Sequence, residues 1–359
     1  MKKELSKKID FPCGIQMPNP FMLAPMTNTQ SHDDGRLSDE EFHWLTMRAK
    51  GGFGITMTCA SHVQEDGRGF PGQLGIYDDD LQEGHERLTK AIKKEGSLAV
   101  IQLHHAGMRS PQKLIGQPPV TATSQEKYNA RGMSTEEVEH LVQSFIKAAK
   151  RAQNWGYDGV EIHGAHGYII AQFLSAELNQ RDDQYGGSLE NRSRLLFEIV
   201  DGVRTACGPN FLLGIRLSPE RFGMALSEVK QVTQKLIDDD KADFLDISLW
   251  DWRKNPEEKE HANKTLLQHF LDLNFKNVKL TVAGKIGSTS DCIELLNNGV
   301  DFVTLGKAAI LHHDFPQMAM QNLDFQSIGL PVSREYLKKQ GLSAPFIKYM
   351  QRWDGFVSE

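Results

Sequence analysis

Short apolar runs that end in small or polar residues recur eight times along this chain, with amphipathic stretches between them. They are Phe21 to Met26, Gly54 to Ala60, Ala99 to His105, Gly159 to Ala165, Leu212 to Ser218, Phe244 to Ser248, Leu280 to Gly284 and Phe302 to Gly306. Such alternation is the pattern of repeated β/α units, and eight parallel strands predict a sheet closed on itself, a (β/α)8 TIM barrel of the α/β class. The runs are nearly continuous in apolar character, as strands are when helices cover them outside and side chains fill them inside. Helix starts keep the same register. Ser38-x-x-Glu41 and Ser134-x-x-Glu137 have capping-box spacing and predict helices over about 39–50 and about 135–155. A doubly wound open sheet shares the alternation, but no Gly-x-Gly-x-x-Gly follows the first strand.

The 359 residues are expected to form a single domain over 1–359, with the barrel at about 19–320 and a C-terminal extension at about 330–359. That extension carries Tyr349, Arg352 and Trp353 and could pack on the barrel or on a neighbouring subunit of a homo-oligomer. Two connections exceed simple turns: Gly107 to Met133, and Leu249 to Lys264 with Trp250, Trp252 and Arg253. Long loops that leave strand C-termini are expected to overhang the mouth of a barrel. A net charge of -6 argues against a nucleic-acid partner, which needs clustered Lys and Arg. Cys13, Cys59, Cys207 and Cys292 form no Cys-x-x-Cys pair, so neither a zinc site nor a disulfide framework is expected, and a reducing cytoplasm fits best. No apolar stretch approaches the length of a membrane span.

Ligands of parallel α/β proteins bind at the carboxyl ends of the strands, and the residues there assemble a site. Strand one delivers Pro25, Met26 and Thr27, strand two Cys59 and Ala60, strand three Gln102, His104 and His105, and strand five Arg216. Strand four ends in His163-Gly-Ala-His166-Gly-Tyr168, two imidazoles and a phenol within six positions, proton donors suited to a carbonyl oxygen. The last two strands end in Gly284-Lys285-Ile286-Gly287 and Gly306-Lys307. Glycines there let backbone N–H groups approach an anion and a lysine adds charge, so a phosphate-bearing cofactor is expected. Gln102 can both donate to and accept from a planar imide, and Arg216 can hold negative charge beside it, a combination that suits an isoalloxazine ring.

Taken in order, Ala24-Pro25-Met26-Thr27, Ile101-Gln102-Leu103-His104-His105-Ala106-Gly107, His163-Gly-Ala-His166-Gly-Tyr168 and Arg181-x-x-x-Tyr185-Gly186-Gly187-Ser188-x-x-Asn191-Arg192 resemble the Old Yellow Enzyme family over about Asn19 to Asp314. The resemblance implies a barrel with non-covalent FMN, reduced by NADH or NADPH and reoxidised by the activated C=C bond of an α,β-unsaturated carbonyl compound. It implies Thr27 near the flavin O4 and N5, Pro25, Met26 and Ala60 along the ring, Gln102 at the pyrimidine edge and Arg216 at the N1–O2 side. His163 and His166 would hold the substrate carbonyl, Tyr168 would donate the proton, and Gly284, Gly287, Gly306 and Lys307 would hold the phosphate. Thr27 and Thr29 stand where one branch of the family has Cys and Tyr, and Lys307 where Arg is more usual; Lys keeps the charge and loses bidentate geometry. The Arg181 to Arg192 stretch is expected to be structural. Three other readings stay open: a barrel acting mainly as an NAD(P)H oxidase or flavin reductase, a flavin-storage or interaction module, and a metal-dependent barrel hydrolase using His163, His166 and the His104–His105 pair.

Overall fold

In the computed structural model, which describes residues 2–358, eight parallel strands close into a barrel. They are β1 (Phe21–Leu23), β2 (Ile55–His62), β3 (Leu98–His104), β4 (Gly159–Gly164), β5 (Leu212–Leu217), β6 (Phe244–Ser248), β7 (Lys279–Ala283) and β8 (Phe302–Leu305). A barrel helix follows each, with short extra helices in some connections: α1 (Asp39–Lys50), α2 (Gln82–Lys94), α3 (Thr135–Asn154), α4 (Leu189–Cys207), α5 (Leu226–Asp238), α6 (Leu266–Leu271), α7 (Thr289–Asn297) and α8 (Lys307–Leu311). Neighbouring strands are consecutive in the chain, and β8 pairs back onto β1 through Val303–Phe21 and Leu305–Leu23. The expected (β/α)8 architecture is the observed one.

Strand edges moved by a few residues. Ala24 to Met26 leave the sheet as loop, while β2 runs on to His62 past an irregularity between Met57 and Ala60. The Ser134 capping box is complete, its hydroxyl accepting from Glu137 N–H and the Glu137 carboxylate accepting in return. At Ser38 only half of the box forms: the hydroxyl accepts from Glu41 N–H, but the Glu41 carboxylate turns inward and accepts from Asn28 Nδ2 (2.8 Å) and the Ser31 hydroxyl. A buried carboxylate satisfied by two donors of the β1–α1 loop is held better there than at a solvent-facing cap, and it braces the loop that begins with Thr27.

Inward-facing side chains form layers of changing polarity. Met22, Met57, Val100, Leu212, Phe244 and Phe302 fill the end where the strands begin, and the N-terminal hairpin of Ile9–Asp10 with Gln16–Met17 plugs it. Phe11 from that hairpin packs on Phe244 and Phe302 at ring-centroid distances of 5.9 and 5.7 Å. Gly214 makes room for this stack: a Cβ there would lie 2.0 Å from the Phe244 ring. Above the aromatic layer the interior turns polar with Gln102, Glu161, Asp246, Thr281 and Thr304, all buried, and above those lies the mouth.

The C-terminal extension folds onto the barrel. Buried Arg48 of α1 donates to the carbonyls of Ala309 in α8 and Gln340 in the extension, the latter at 2.7 Å, and stacks 3.1 Å over Trp44. The Gln30 side chain accepts from Ser343 N–H, at the start of the helix Ala344–Met350. No described helix is long and apolar enough to cross a membrane.

Candidate active site

A cavity of about 440 Å³ opens at the carboxyl ends of the strands. Of the residues expected there, Pro25, Met26, Thr27, Ala60, Gln102, His163, His166, Tyr168, Arg216, Gly284, Gly306 and Lys307 all line it. Gly287 lines an adjoining crevice with Lys285 and Lys307, and its N–H donates to the Asp291 carboxylate (2.8 Å). The two long loops contribute unequally. Trp250 of the β6–α6 connection forms part of the wall, whereas the β3–α3 connection supplies no lining residue. Its Arg109 works from behind, donating to the His166 carbonyl and lying 4.8 Å from the Tyr168 ring centre. The remainder of that loop is pinned outside through Arg181, which donates to the carbonyls of Ala122 and Met133 and pairs with Asp183. Tyr349 and Trp353 of the extension take up the outer wall instead.

Backbone geometry aims several of these groups. His166, Trp250 and Lys285 adopt left-handed φ values of 61°, 63° and 51°, conformations that cost non-glycine residues of the order of 1–3 kcal/mol and gather at functional sites. His163 follows directly along β4, paired in register with Arg216 of β5. Tyr168 stands at the N-cap of the helix Ile169–Leu174, edge-on to His104 with ring centres 4.4 Å apart.

The imidazoles form a hydrogen-bonded line. His104 Nδ1 lies 2.9 Å from His163 Nδ1, His163 Nε2 lies 2.9 Å from His166 Nδ1, and His166 Nε2 lies 2.8 Å from Ser248 Oγ. Burial, reinforced for His104 and His163 by neighbouring histidines, pushes their pKa values well below the usual range, and burial with Arg216 brings His166 down to about 3. All three are therefore neutral at pH 7. Burial raises the Tyr168 phenol above its ordinary value, so it keeps its proton.

Beneath them lies a charged floor that sequence reasoning missed. Glu161 Oε1 accepts from Gln102 Nε2 at 2.7 Å, and Asp246 Oδ2 lies 3.2 Å from Arg216 Nε. Burial raises both carboxyls above their ordinary range, with Asp246 adding to the shift of Glu161 and Arg216 opposing both. The available signal was a carboxylate interrupting each apolar run, Glu161 in β4 and Asp246 in β6. Ser248 and Phe70 also line the cavity, and no spacing pattern marks either.

These residues fit a flavin mononucleotide. Arg216 is buried, its Nε has no hydrogen-bond partner, and its guanidinium makes no hydrogen bond to any described residue. Lys307 makes no ion pair among the described residues and opens α8 beside Gly306. A Cβ at Gly306 would meet nothing nearer than Met26 Sδ at 3.6 Å, so the surface over this glycine is open to a ligand.

Residues 8–326 match the family model described as NADH:flavin oxidoreductase / NADH oxidase. A Bacillus subtilis (strain 168) protein described as a probable NADH-dependent flavin oxidoreductase, YqiG, is 36% identical over 320 residues, covering 86% of each chain. Among solved structures, 2-naphthoyl-CoA reductase with 2-naphthoyl-CoA superposes with a TM-score of 0.82 at 26% identity over 89% of this chain; the chain spans only 52% of that protein. An Old Yellow Enzyme homologue from Zymomonas mobilis gives 0.79 at 25% identity, covering 93% of this chain and 96% of its own. The chain belongs to the NADH:flavin oxidoreductase / NADH oxidase family, the Old Yellow Enzyme family of FMN-dependent oxidoreductases that use NADH or NADPH.

Proposed function

We propose that the chain acts as a single FMN-binding barrel that reduces the activated C=C bond of α,β-unsaturated carbonyl compounds. The observation that carries this reading is one cavity in which the Tyr168 phenol and the His163–His166 pair share walls with Gln102, Arg216 and Lys307. The chemistry FMN supplies when bound is hydride transfer from NADH or NADPH to the β-carbon of the alkene, the two substrates taking turns in a ping-pong order. Thr27, Pro25, Met26 and Ala60 are assigned to the ring, Gln102 to its pyrimidine edge, and Arg216 to the side where negative charge develops. Lys307 with Gly284, Gly306 and the nearby Gly287 are assigned to the phosphate.

His163 and His166, being neutral, offer N–H groups to the substrate oxygen without adding a full charge. Fixed donors aimed at a developing enolate typically contribute about 100- to 1000-fold in rate. Tyr168 holds its proton until the α-carbon needs it, a general-acid contribution of roughly 100- to 10,000-fold. Tyr349, Trp353, Trp250 and Phe70 wall the cavity and limit water. Four unpaired, buried cysteines suit a reducing cytoplasm. Trp353 is 49% exposed, and self-association through the extension is a further proposal that light scattering decides.

Tyr168→Phe tests the reading. Alkene reduction should slow by roughly 100-fold or more while reduction of the bound flavin by the nucleotide is unchanged. Equal slowing of the two half-reactions would remove Tyr168 from the proton-donor role. Rapid flavin reduction by NADH or NADPH with no turnover of any enone would favour the oxidase reading instead.

A further inference from the structure

The line His104–His163–His166–Ser248 has a consequence for how the pair can bind an oxygen. A neutral imidazole carries one N–H and one lone pair. Each of the three joints, 2.9, 2.9 and 2.8 Å long, therefore holds a single proton, and the protons of an unbroken line all point the same way. The central gap, between His163 Nε2 and His166 Nδ1, then contains one N–H. Nitrogens 2.9 Å apart leave no room between them, so an oxygen that binds there parts the two rings and replaces their bond, and to accept from both histidines it needs two N–H groups.

Two N–H groups face the gap only when both halves of the line point inward. His104 Nδ1–H must donate to His163 Nδ1, which places the His163 proton on Nε2. The Ser248 hydroxyl must donate to His166 Nε2, which places the His166 proton on Nδ1. Starting from the line that runs from His104 toward Ser248, the proton count does not change: the His166 proton moves from Nε2 to Nδ1 and the Ser248 hydroxyl rotates. We propose that His104 and Ser248 are positioning residues that set the tautomers of His163 and His166 from either side, so that the pair presents two N–H groups to the carbonyl oxygen of the substrate.

Both residues are built for that duty. His104 ends β3, the neighbour of β4 on one side, and Ser248 ends β6, which lies beyond β5 on the other, so they reach the pair from opposite sides at the strand ends. His104 is 1% exposed and is braced edge-on against Tyr168, so the ring that would orient the donor pair also touches the proton donor.

The inference rests on the proposed reading of His163 and His166, and the experiment separates the two. Holoenzyme with 15N-labelled histidine is titrated with 2-cyclohexenone, reading imidazole tautomers by NMR and affinity by the change in flavin absorbance. With the ligand bound, His163 should be protonated at Nε2 and His166 at Nδ1. Ser248→Ala should return His166 to the Nε2–H form and weaken binding about tenfold, the loss of one hydrogen bond. Ser248→Thr, which keeps the hydroxyl, should restore both, and His104→Phe should disturb His163 in the same way. The proposal is overturned if Ser248→Ala binds within twofold of the parent, if its His166 tautomer is unchanged, or if threonine fails to rescue. Unchanged affinity after replacing both His163 and His166 with Ala would instead overturn the assignment of the pair to the substrate oxygen.

Discussion

Glu161→Gln should make the protein more resistant to rising pH, although it alters a residue at the centre of the barrel. Glu161 is fully buried, Gln102 is its one hydrogen-bond partner, and its Oε2 has none. Burial first, and Asp246 second, lift its pKa from 4.5 to about 8, against the pull of Arg216 and Gln102. The native state therefore keeps a proton that the unfolded chain has already lost, and native stability falls as pH rises from about 4.5, the loss levelling off above about 8. At 1.36 kcal/mol per pH unit, the loss reaches on the order of 3 kcal/mol by pH 7, an upper bound because Asp246 shares the same hollow. Glutamine keeps an oxygen for Gln102 Nε2 and cannot ionise. The variant should match the parent near pH 5 and exceed it by roughly 2–3 kcal/mol at pH 8, in urea unfolding followed by far-UV circular dichroism at saturating FMN. A stability difference that does not change with pH would refute the reasoning. A neutral Glu161 also leaves Arg216 with a single anionic partner, so its charge is not over-cancelled beneath the cavity.

The plug, the clamp and the phosphate end each make a separate prediction. Phe11→Ala should destabilise by about 3–5 kcal/mol, because it hollows the aromatic stack at the closed end; FMN affinity measured on the folded variant should be unchanged, and a weakened FMN complex would show that the two ends are coupled. Arg48→Met leaves the carbonyls of Ala309 and Gln340 without their donor, at a cost of roughly 3–5 kcal/mol. Limited proteolysis should then cut the C-terminal extension before the barrel, and an extension as resistant as the parent's would contradict the clamp. Lys307→Gln should raise the FMN dissociation constant roughly 10- to 100-fold in a fluorescence titration and flatten its salt dependence; an unchanged constant would put the phosphate elsewhere.

The barrel was legible because its signals are local. Apolar runs of strand length, Ser134 with Glu137, and the glycines after β7 and β8 act within a few residues of themselves, and each was found close to its expected place. The strand-end residues were legible for a related reason: in a parallel barrel, chain order alone places His163, Arg216 and Gln102 at one mouth. Reading failed where a residue's role depends on what faces it across the barrel. Glu161 and Asp246 look like polar interruptions of apolar runs, and become a floor only when closure sets them beside Gln102 and Arg216.

The same limit applies to the loops and to Ser248. Length marked the β3–α3 connection as a wall of the mouth, but Arg181 holds it outside and the extension takes its place, a competition between surfaces that no single segment encodes. Ser248 acquires a partner only because left-handed His166 swings its ring across from β4 to β6. By itself the chain's order of apolar and polar residues determined eight β/α units and which side chains reach the open end. Tertiary structure decided which of those side chains touch, because hydrogen bonds and buried charges depend on distances between residues about thirty to eighty positions apart in sequence, which only barrel closure brings within reach.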